Sequence, residues 1–143
     1  MFAFAYPATF TQHEGESWLV SFPDFTASHT DGADMNEAMA EATNCPGSAI
    51  AFAMADKCEV PKPSQLKRGQ TLVPVPLSIV AKLALYWAIR DLGISQSELA
   101  RRLDVRETVV RRMLDPNHDT RLEKMQAALA VLGKQVVMAY YDA

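Results

Sequence analysis

Six polar side chains between residues 96 and 112 have the types and spacing needed to bind nucleic acid. Arginine can donate two hydrogen bonds to guanine, and glutamate can accept one from cytosine. A glutamine at a helix N-terminus can bind a phosphate beside the backbone N–H groups. A lone run of arginines is more often a solvated helix face, but here a coherent apolar pattern leaves the arginines on one free face. We therefore predict a DNA-binding site made of Gln96, Arg106, Glu107, Thr108, Arg111 and Arg112.

The elements that must position these side chains are helices, because apolar residues in this half of the chain recur with a period near 3.6. Leu92–Ala100, followed by a short turn and a further helix, has the pattern of a helix-turn-helix. Ala100 is small enough for the second helix to cross close to it, and Val105 and Val110 would fill the wedge between the two helices. Helices are predicted from Ser78 to about Leu92, from Ser95 with Glu98 in a capping box, over Arg106–Leu114 and over Arg121–Leu132, with a strand over Gln135–Tyr141.

This helical order resembles the phage-repressor (Cro/C1-type, XRE) family over Ile79–Gly133. The resemblance implies that Gln96 anchors a phosphate and that base-reading residues lie near the start of the recognition helix. It assigns that role to Glu107, Thr108 and Arg112, with Arg106 just before them. The chain departs from the family pattern at Asp104, where glycine is common, and at Asp115-Pro116, where Asn-Gly is frequent.

The net charge of −3 over 143 residues conceals two halves of opposite sign. Residues 1–64 carry nine acids against Lys57 and Lys62, a net charge of −7. Residues 65–143 carry twelve lysines and arginines against eight acids, a net charge of +4. An acidic half and a basic half predict two partners of opposite charge.

The acidic half has the pattern of a small α+β domain. Strands are predicted over Phe2–Gln12, over Ser17–Phe22 after a polar turn, and over Gln70–Leu77, which gives a three-stranded antiparallel sheet. Pro7 would mark an edge strand or a bulge, and Thr26–Ala33 is predicted to be a loop. Asp34 and Glu37 form a capping-box pattern at the start of a helix. A break or kink is predicted over Asn44–Gly47, because proline inside a helix costs about 3 kcal/mol or more, with helix resuming over Ser48–Ala55.

The motifs of this half resemble those of HicB antitoxins. They are Tyr6, Phe22-Pro23-Asp24-Phe25, Thr30, Gly32, Asp34, Glu37-Ala38 and Val60-Pro61-Lys62-Pro63-Ser64. The resemblance implies a partial RNase H-like fold over residues 1–77 and a helix-turn-helix domain over 78–143 that binds operator DNA. It also implies a small basic HicA-like toxin, an mRNA-cleaving ribonuclease, as partner. An acidic domain can occupy the basic face of such an enzyme in place of RNA, and the predicted toxin-binding residues are Phe22, Pro23, Asp24, Asp31, Asp34 and Glu37.

Other functions find less support in the sequence. A two-metal nuclease normally has a carboxylate on its first strand, and Phe2–Gln12 contains none. The histidines lack partners at ligand spacing, and Cys45 and Cys58 fit reduced thiols, so we predict no cofactor, no metal and no enzyme activity. No stretch is long and apolar enough for a membrane span, and we expect a cytoplasmic protein.

The alternative interpretation is a stand-alone transcriptional repressor whose N-terminal domain senses a small molecule. Both interpretations require a homodimer, because reading a palindrome takes two recognition helices about 34 Å apart. The strand predicted over Gln135–Tyr141 is the expected dimer element. With toxin bound, a higher oligomer is a further possibility that the sequence leaves open.

Overall fold

The sheet in the first part of the chain has one more strand than the sequence predicts. The computed structural model describes residues 3–12, 15, 17–140 and 142. Within them the strands are β1 (Ala5–Gln12), β2 (Trp18–Phe22), β3 (Phe25–Gly32) and β4 (Thr71–Pro74). They lie in the order β3-β2-β1-β4, and each neighbouring pair is antiparallel. The fold class is α+β, as predicted, with four described strands in place of three.

The loop predicted over Thr26–Ala33 is wrong, because most of this segment forms β3. Phe22 and Phe25 pair across the two-residue turn Pro23-Asp24, so this turn joins β2 and β3 in a hairpin. The polar residues of β3 suggested a loop. β3 lies at the edge of the sheet, however, where a strand needs pairing on one side only and tolerates polar side chains.

Pro7 lies in a part of β1 that is paired on one side only, which agrees with the predicted edge position, although β1 as a whole is an inner strand. Within β1, residues 9–12 pair with β2, whereas Ala5–Ala8 pair with β4. Pro7 faces Leu72 of β4 in this register. Since proline has no N–H to donate, it is accommodated where β1 has a partner strand on one side only.

The break predicted over Asn44–Gly47 is wrong, because one helix, α1 (Met35–Ala55), runs through Pro46. Pro46 and Gly47 lie on the buried face of α1, which packs against the sheet. Packing of this face offsets the helical hydrogen bond that Pro46 cannot make. The packing is close at Gly47, where an added methyl group would come within 2.9 Å of Pro76 Cγ. The buried side of α1 is completed by Ala38, Ala42, Ile50 and Met54.

The second part of the chain is helical, as predicted. Its helices are α2 (Leu77–Leu92), α3 (Gln96–Leu103), α4 (Glu107–Leu114) and α5 (Leu122–Val131). Their shared core contains Leu85, Ile89, Leu99, Val110, Met113, Met125 and Leu129. By contacts the chain divides into a first unit, Met1–Val80, and a second unit, Ala81–Ala143.

The strand predicted over Gln135–Tyr141 does not form within the described part of the chain. Residues 134–140 belong to no helix or strand, and Tyr141 lies outside the described residues. A strand is defined by pairing with a neighbour, and no described segment of the chain pairs with this one. Its side chains are largely exposed, including Val137 at 81%, Met138 at 73% and Tyr140 at 97%.

Of the helices that the structure describes, none combines the length and the apolar character that crossing a membrane requires.

Candidate functional site

The turn between α3 and α4 is built by a left-handed residue. Asp104 ends α3 with φ 55° and ψ 47°, and the Val105 N–H then donates to Ala100 O at 3.0 Å. Glycine adopts this conformation most readily, but aspartate is among the residues that tolerate it. Asp104 therefore makes the turn that glycine commonly makes in similar sequences.

The predicted DNA-binding side chains of α4 lie together on its exposed face. Val110 and Met113 are buried on the opposite face. Residues four apart lie one above the other on a helix, so the exposed positions form a continuous surface. The exposed side chains are Arg106, Glu107, Thr108, Arg111 and Arg112. Gln96, at the first turn of α3, is half-buried.

Glu107 has two partners within the second unit that limit its freedom to read a base. Its Oε1 lies 3.6 Å from Arg111 Nη2, and its Oε2 accepts a hydrogen bond of 3.0 Å from Ser97 Oγ. The Ser97–Glu107 bond joins the start of α3 to the start of α4, so it fixes the position of the first turn of α4 relative to α3.

The capping box predicted at the start of α3 is only half formed. Ser95 Oγ accepts from Glu98 N at 3.0 Å, as expected for an N-cap. The Glu98 carboxylate instead accepts from Arg101 at 2.6 and 2.9 Å and from Arg102 at 3.0 Å. These two arginines hold the pKa of Glu98 at about 2, well below its ordinary value.

A depressed carboxylate pKa gives a stability contribution that acid removes. For Glu98 the contribution is complete above the ordinary value of 4.5 and is lost as pH falls toward 2. The group is open to solvent, so we expect a small effect. Unfolding of the protein and its Glu98→Gln variant, measured from pH 7 to pH 2, should show a difference that shrinks below pH 4.5. A difference independent of pH would contradict the role of this charge.

Two further basic residues, missed by the sequence analysis, lie beside the end of α4. Arg121 and Lys124 line a shallow concavity of about 210 Å³ together with Arg112 and His118. Both are exposed. Arg121 and Lys124 lie just before and within the first turn of α5. Since helix N-termini attract anions, this position in the sequence could have identified both residues as candidate phosphate contacts. Asp119 also lines this concavity, so its charge is mixed.

The acidic residues predicted to bind toxin have different environments in the first unit. Asp34 Oδ1 accepts from Glu37 N at 2.8 Å, and Glu37 Oε2 accepts from Ala33 N at 2.8 Å. These two residues therefore cap α1, as predicted. Asp31 is exposed on the edge strand β3. Asp34 and Glu37 are also exposed, so their carboxylates contribute negative charge to the surface of the first unit while they cap α1.

Asp24 joins the hairpin turn to a segment 40 residues later. Its Oδ2 accepts from Ser64 N at 3.1 Å and from Ser64 Oγ at 3.0 Å. Nearby, Tyr6 OH donates to Pro61 O at 2.6 Å. Burial and the negative charge of Asp24 both raise the pKa of Tyr6. The motifs of this half are therefore held together by hydrogen bonds that their spacing along the chain does not predict.

Of the two apolar residues in the predicted toxin-binding set, one is exposed and the other is buried. Pro23 is exposed in the hairpin turn, whereas Phe22 is 2% exposed and belongs to the core. A different aromatic residue, Phe52 on α1, is 74% exposed. It lies two residues, or about 200° around the helix, from buried Ile50, and a helical wheel would have identified it. A polar concavity of about 310 Å³ lies between β3 and α1, lined in part by His29, Glu41 and Cys45.

In the described part of the chain, no three histidine, cysteine, aspartate or glutamate side chains are grouped so that they could hold a metal ion.

Comparison with known proteins identifies the class. A family model described as "HicB_like antitoxin of bacterial toxin-antitoxin system" matches residues 5–84. Antitoxin HicB 2 of Photorhabdus laumondii is 35% identical over 131 residues, which cover 92% of both chains. Antitoxin HicB of Escherichia coli K12 is 33% identical over 92% of this chain and 95% of its own. Antitoxin HicB of Pseudomonas fluorescens is 26% identical over 95% of this chain and 93% of its own.

These matches define a regulatory component of a toxin–antitoxin system and not an enzyme. The chain belongs to the HicB-like antitoxin family. The resemblance of the sequence motifs to those of HicB antitoxins is thereby confirmed.

Proposed function

We propose that this chain neutralises a HicA-like ribonuclease through residues 1–77 and represses its own operon through residues 78–143. The observation that carries the proposal is the similarity to HicB antitoxins over more than nine-tenths of this chain. The opposite net charges of the two halves of this chain support it. The first domain has a partial RNase H-like fold in this proposal. The second is a helix-turn-helix domain.

The toxin-binding surface combines long-range charge with local contacts. The net charge of −7 on residues 1–64 attracts a protein whose RNA-binding face is basic. Asp24, Asp34 and Glu37 contribute charge while they also hold the turn and the helix start. Asp31 and Pro23, both exposed, can touch the toxin directly, and Phe22 shapes the surface from beneath.

The DNA-binding surface is the exposed face of α4 together with the start of α3. Arg112 and Thr108 are exposed there and can enter a major groove. Gln96 anchors a phosphate. Two copies are required to read a palindrome. Residues 135–140 supply the dimer contact, because their exposed apolar side chains can be covered by a second copy.

The test is co-expression of the full chain with the product of the adjacent small open reading frame. We expect copurification, rescue of toxin-arrested growth, and binding to DNA upstream of the operon. Failure of both copurification and rescue would overturn the antitoxin function. A repressor that senses a small molecule would instead release DNA when its ligand binds, with no toxin partner.

Neutralising Asp31 is expected to slow toxin association. Asp31→Asn removes one exposed charge with little change in shape, and we expect the association rate at low salt to fall about 2- to 5-fold. The effect should shrink as salt screens the charge. The matched control is Glu123→Gln, an equally conservative change at an exposed acid of the second unit. Equal rates for both variants would contradict a role for Asp31.

A further inference from the structure

Lys82 is a buried cation whose donors are all used within the second unit. It lies on α2 and is 4% exposed. Its Nζ lies 3.0 Å from each of three acceptors, namely Arg112 O, Met113 O and Thr120 Oγ1. A lysine ammonium has three N–H donors and no acceptor. Every donor therefore has a partner.

Two of these acceptors are carbonyls in the last turn of α4. The last four carbonyls of a helix have no following helical turn to bond them, and they carry the partial negative charge of the helix. The Lys82 ammonium donates to two of them and compensates part of that charge. Arg112 O also accepts from the Asp115 N–H at 3.2 Å. Burial lowers the pKa of Lys82 below its ordinary value, and the charges of Asp115 and Asp119 offset only part of this effect. The ammonium is held in place by its three hydrogen bonds.

Arg112 connects this buried contact to the exposed surface. Its carbonyl accepts from Lys82, and its side chain is exposed on the face of α4. Thr120, the third acceptor, lies in the segment just before α5. Its hydroxyl also lies 3.2 Å from His118 Nδ1. A single ammonium therefore holds α2, the end of α4 and the segment before α5 in one arrangement.

We propose that Lys82 is a positioning residue for operator recognition. Its bonds to the carbonyls of Arg112 and Met113 fix the position and the rotation of the end of α4, so that Arg112 can read a base. This inference rests on the proposed DNA-binding function. Base readout requires side chains placed in register with the groove, whereas contacts to phosphates tolerate small shifts because long basic side chains adapt. Loss of the ammonium should reduce specific binding much more than non-specific binding.

The experiment compares full-length protein and its Lys82→Met variant on operator DNA and on a scrambled duplex at the same salt concentration. We expect operator affinity to fall about 10-fold, with less than a 2-fold change on the scrambled duplex. Toxin binding should be unchanged. The matched control is Lys124→Met, the same change at an exposed lysine, which should weaken both duplexes by a similar factor if Lys124 contacts phosphate.

Parallel losses on both duplexes, or an unchanged operator affinity, would overturn the positioning role. If Lys82→Met does not fold, Thr120→Ala decides, because it keeps the ammonium and removes one of its three acceptors, together with the long hydrogen bond of 3.5 Å from the Thr120 hydroxyl to Arg112 O. It should lower the ratio of specific to non-specific binding in the same direction by a smaller factor, and an unchanged ratio would overturn the proposal. Wild-type protein that binds no operator would refute the proposed function itself.

Discussion

Replacing Gly32 with alanine is expected to lower the free energy of unfolding of the first unit by about 3 kcal/mol, at the upper end of the usual cost of overpacking. Gly32 ends β3, and the first turn of α1 lies against it. An added Cβ would lie 2.6 Å from Ala38 Cα and 2.8 Å from the carbonyl carbon of Glu37, and closer still to Ala38 N. These are backbone atoms, so no side-chain rotation can relieve the clash.

The caps at the start of α1 make this clash harder to relieve. Asp34 and Glu37 fix the first turn through hydrogen bonds of 2.8 Å to backbone N–H groups. Moving the turn away from Gly32 would strain or break them. The cost therefore includes steric overlap and weakened capping, and α1 with its acidic start should lose its native position.

Gly47→Ala is the matched control for this substitution. It adds the same methyl group to the same unit, but the nearest atom is Pro76 Cγ at 2.9 Å, a side-chain atom. Alanine also favours helix over glycine by about 1 kcal/mol, which offsets part of the crowding. Urea unfolding followed by Trp18 fluorescence in a Trp87→Phe background would compare them. Equal losses for both variants would contradict the steric argument at Gly32.

Replacing Arg112 with alanine is expected to weaken operator binding by about 1–3 kcal/mol, roughly 5- to 150-fold, if its guanidinium reads a base. The side chain is exposed on α4, and its removal leaves the backbone carbonyl that accepts from Lys82. The variant should therefore keep its fold. Gel-shift titration on operator and scrambled DNA would measure the loss, and an unchanged operator shift would refute the role.

Arg101→Ala separates base reading from the removal of a positive charge. Arg101 lies on α3, and its guanidinium is paired with Glu98 at 2.6 Å. We expect this variant to leave the preference for operator over scrambled DNA nearly intact. If Arg112 contacts only a phosphate, its loss should weaken both duplexes and reduce the dependence of binding on salt by about one ion.

The helices of the second unit could be predicted from the sequence because their signals are local. The apolar period, the cap at Ser95 and the stop at Gly93 lie within a few residues of what they determine. The arginine face of α4 follows from the same period. Prediction failed where pairing decides the structure, as in β3, whose polar sequence becomes a strand because β2 lies beside it.

The candidate site shows the same division between local and distant causes. Residues on one helix face could be grouped from their spacing, but partners 30 or more residues apart could not. Lys82 with Arg112 O and Asp24 with Ser64 belong to the second kind. The continuity of α1 through Pro46 also depends on distant residues, since packing of the buried face outweighs the local preference to break.

The change of partner along β1 sets an order in which the sheet can be completed during synthesis. Residues 9–12 pair with β2 and can do so as soon as the chain up to Gly32 has left the ribosome, together with the β2–β3 hairpin. Ala5–Ala8 pair with Thr71–Pro74, which lie 63 to 69 residues further along the chain. Long-range pairing of this kind slows folding. Of the four described strands, β1 is therefore translated first and finished last, and a nascent chain gains this sheet only after β4 has emerged.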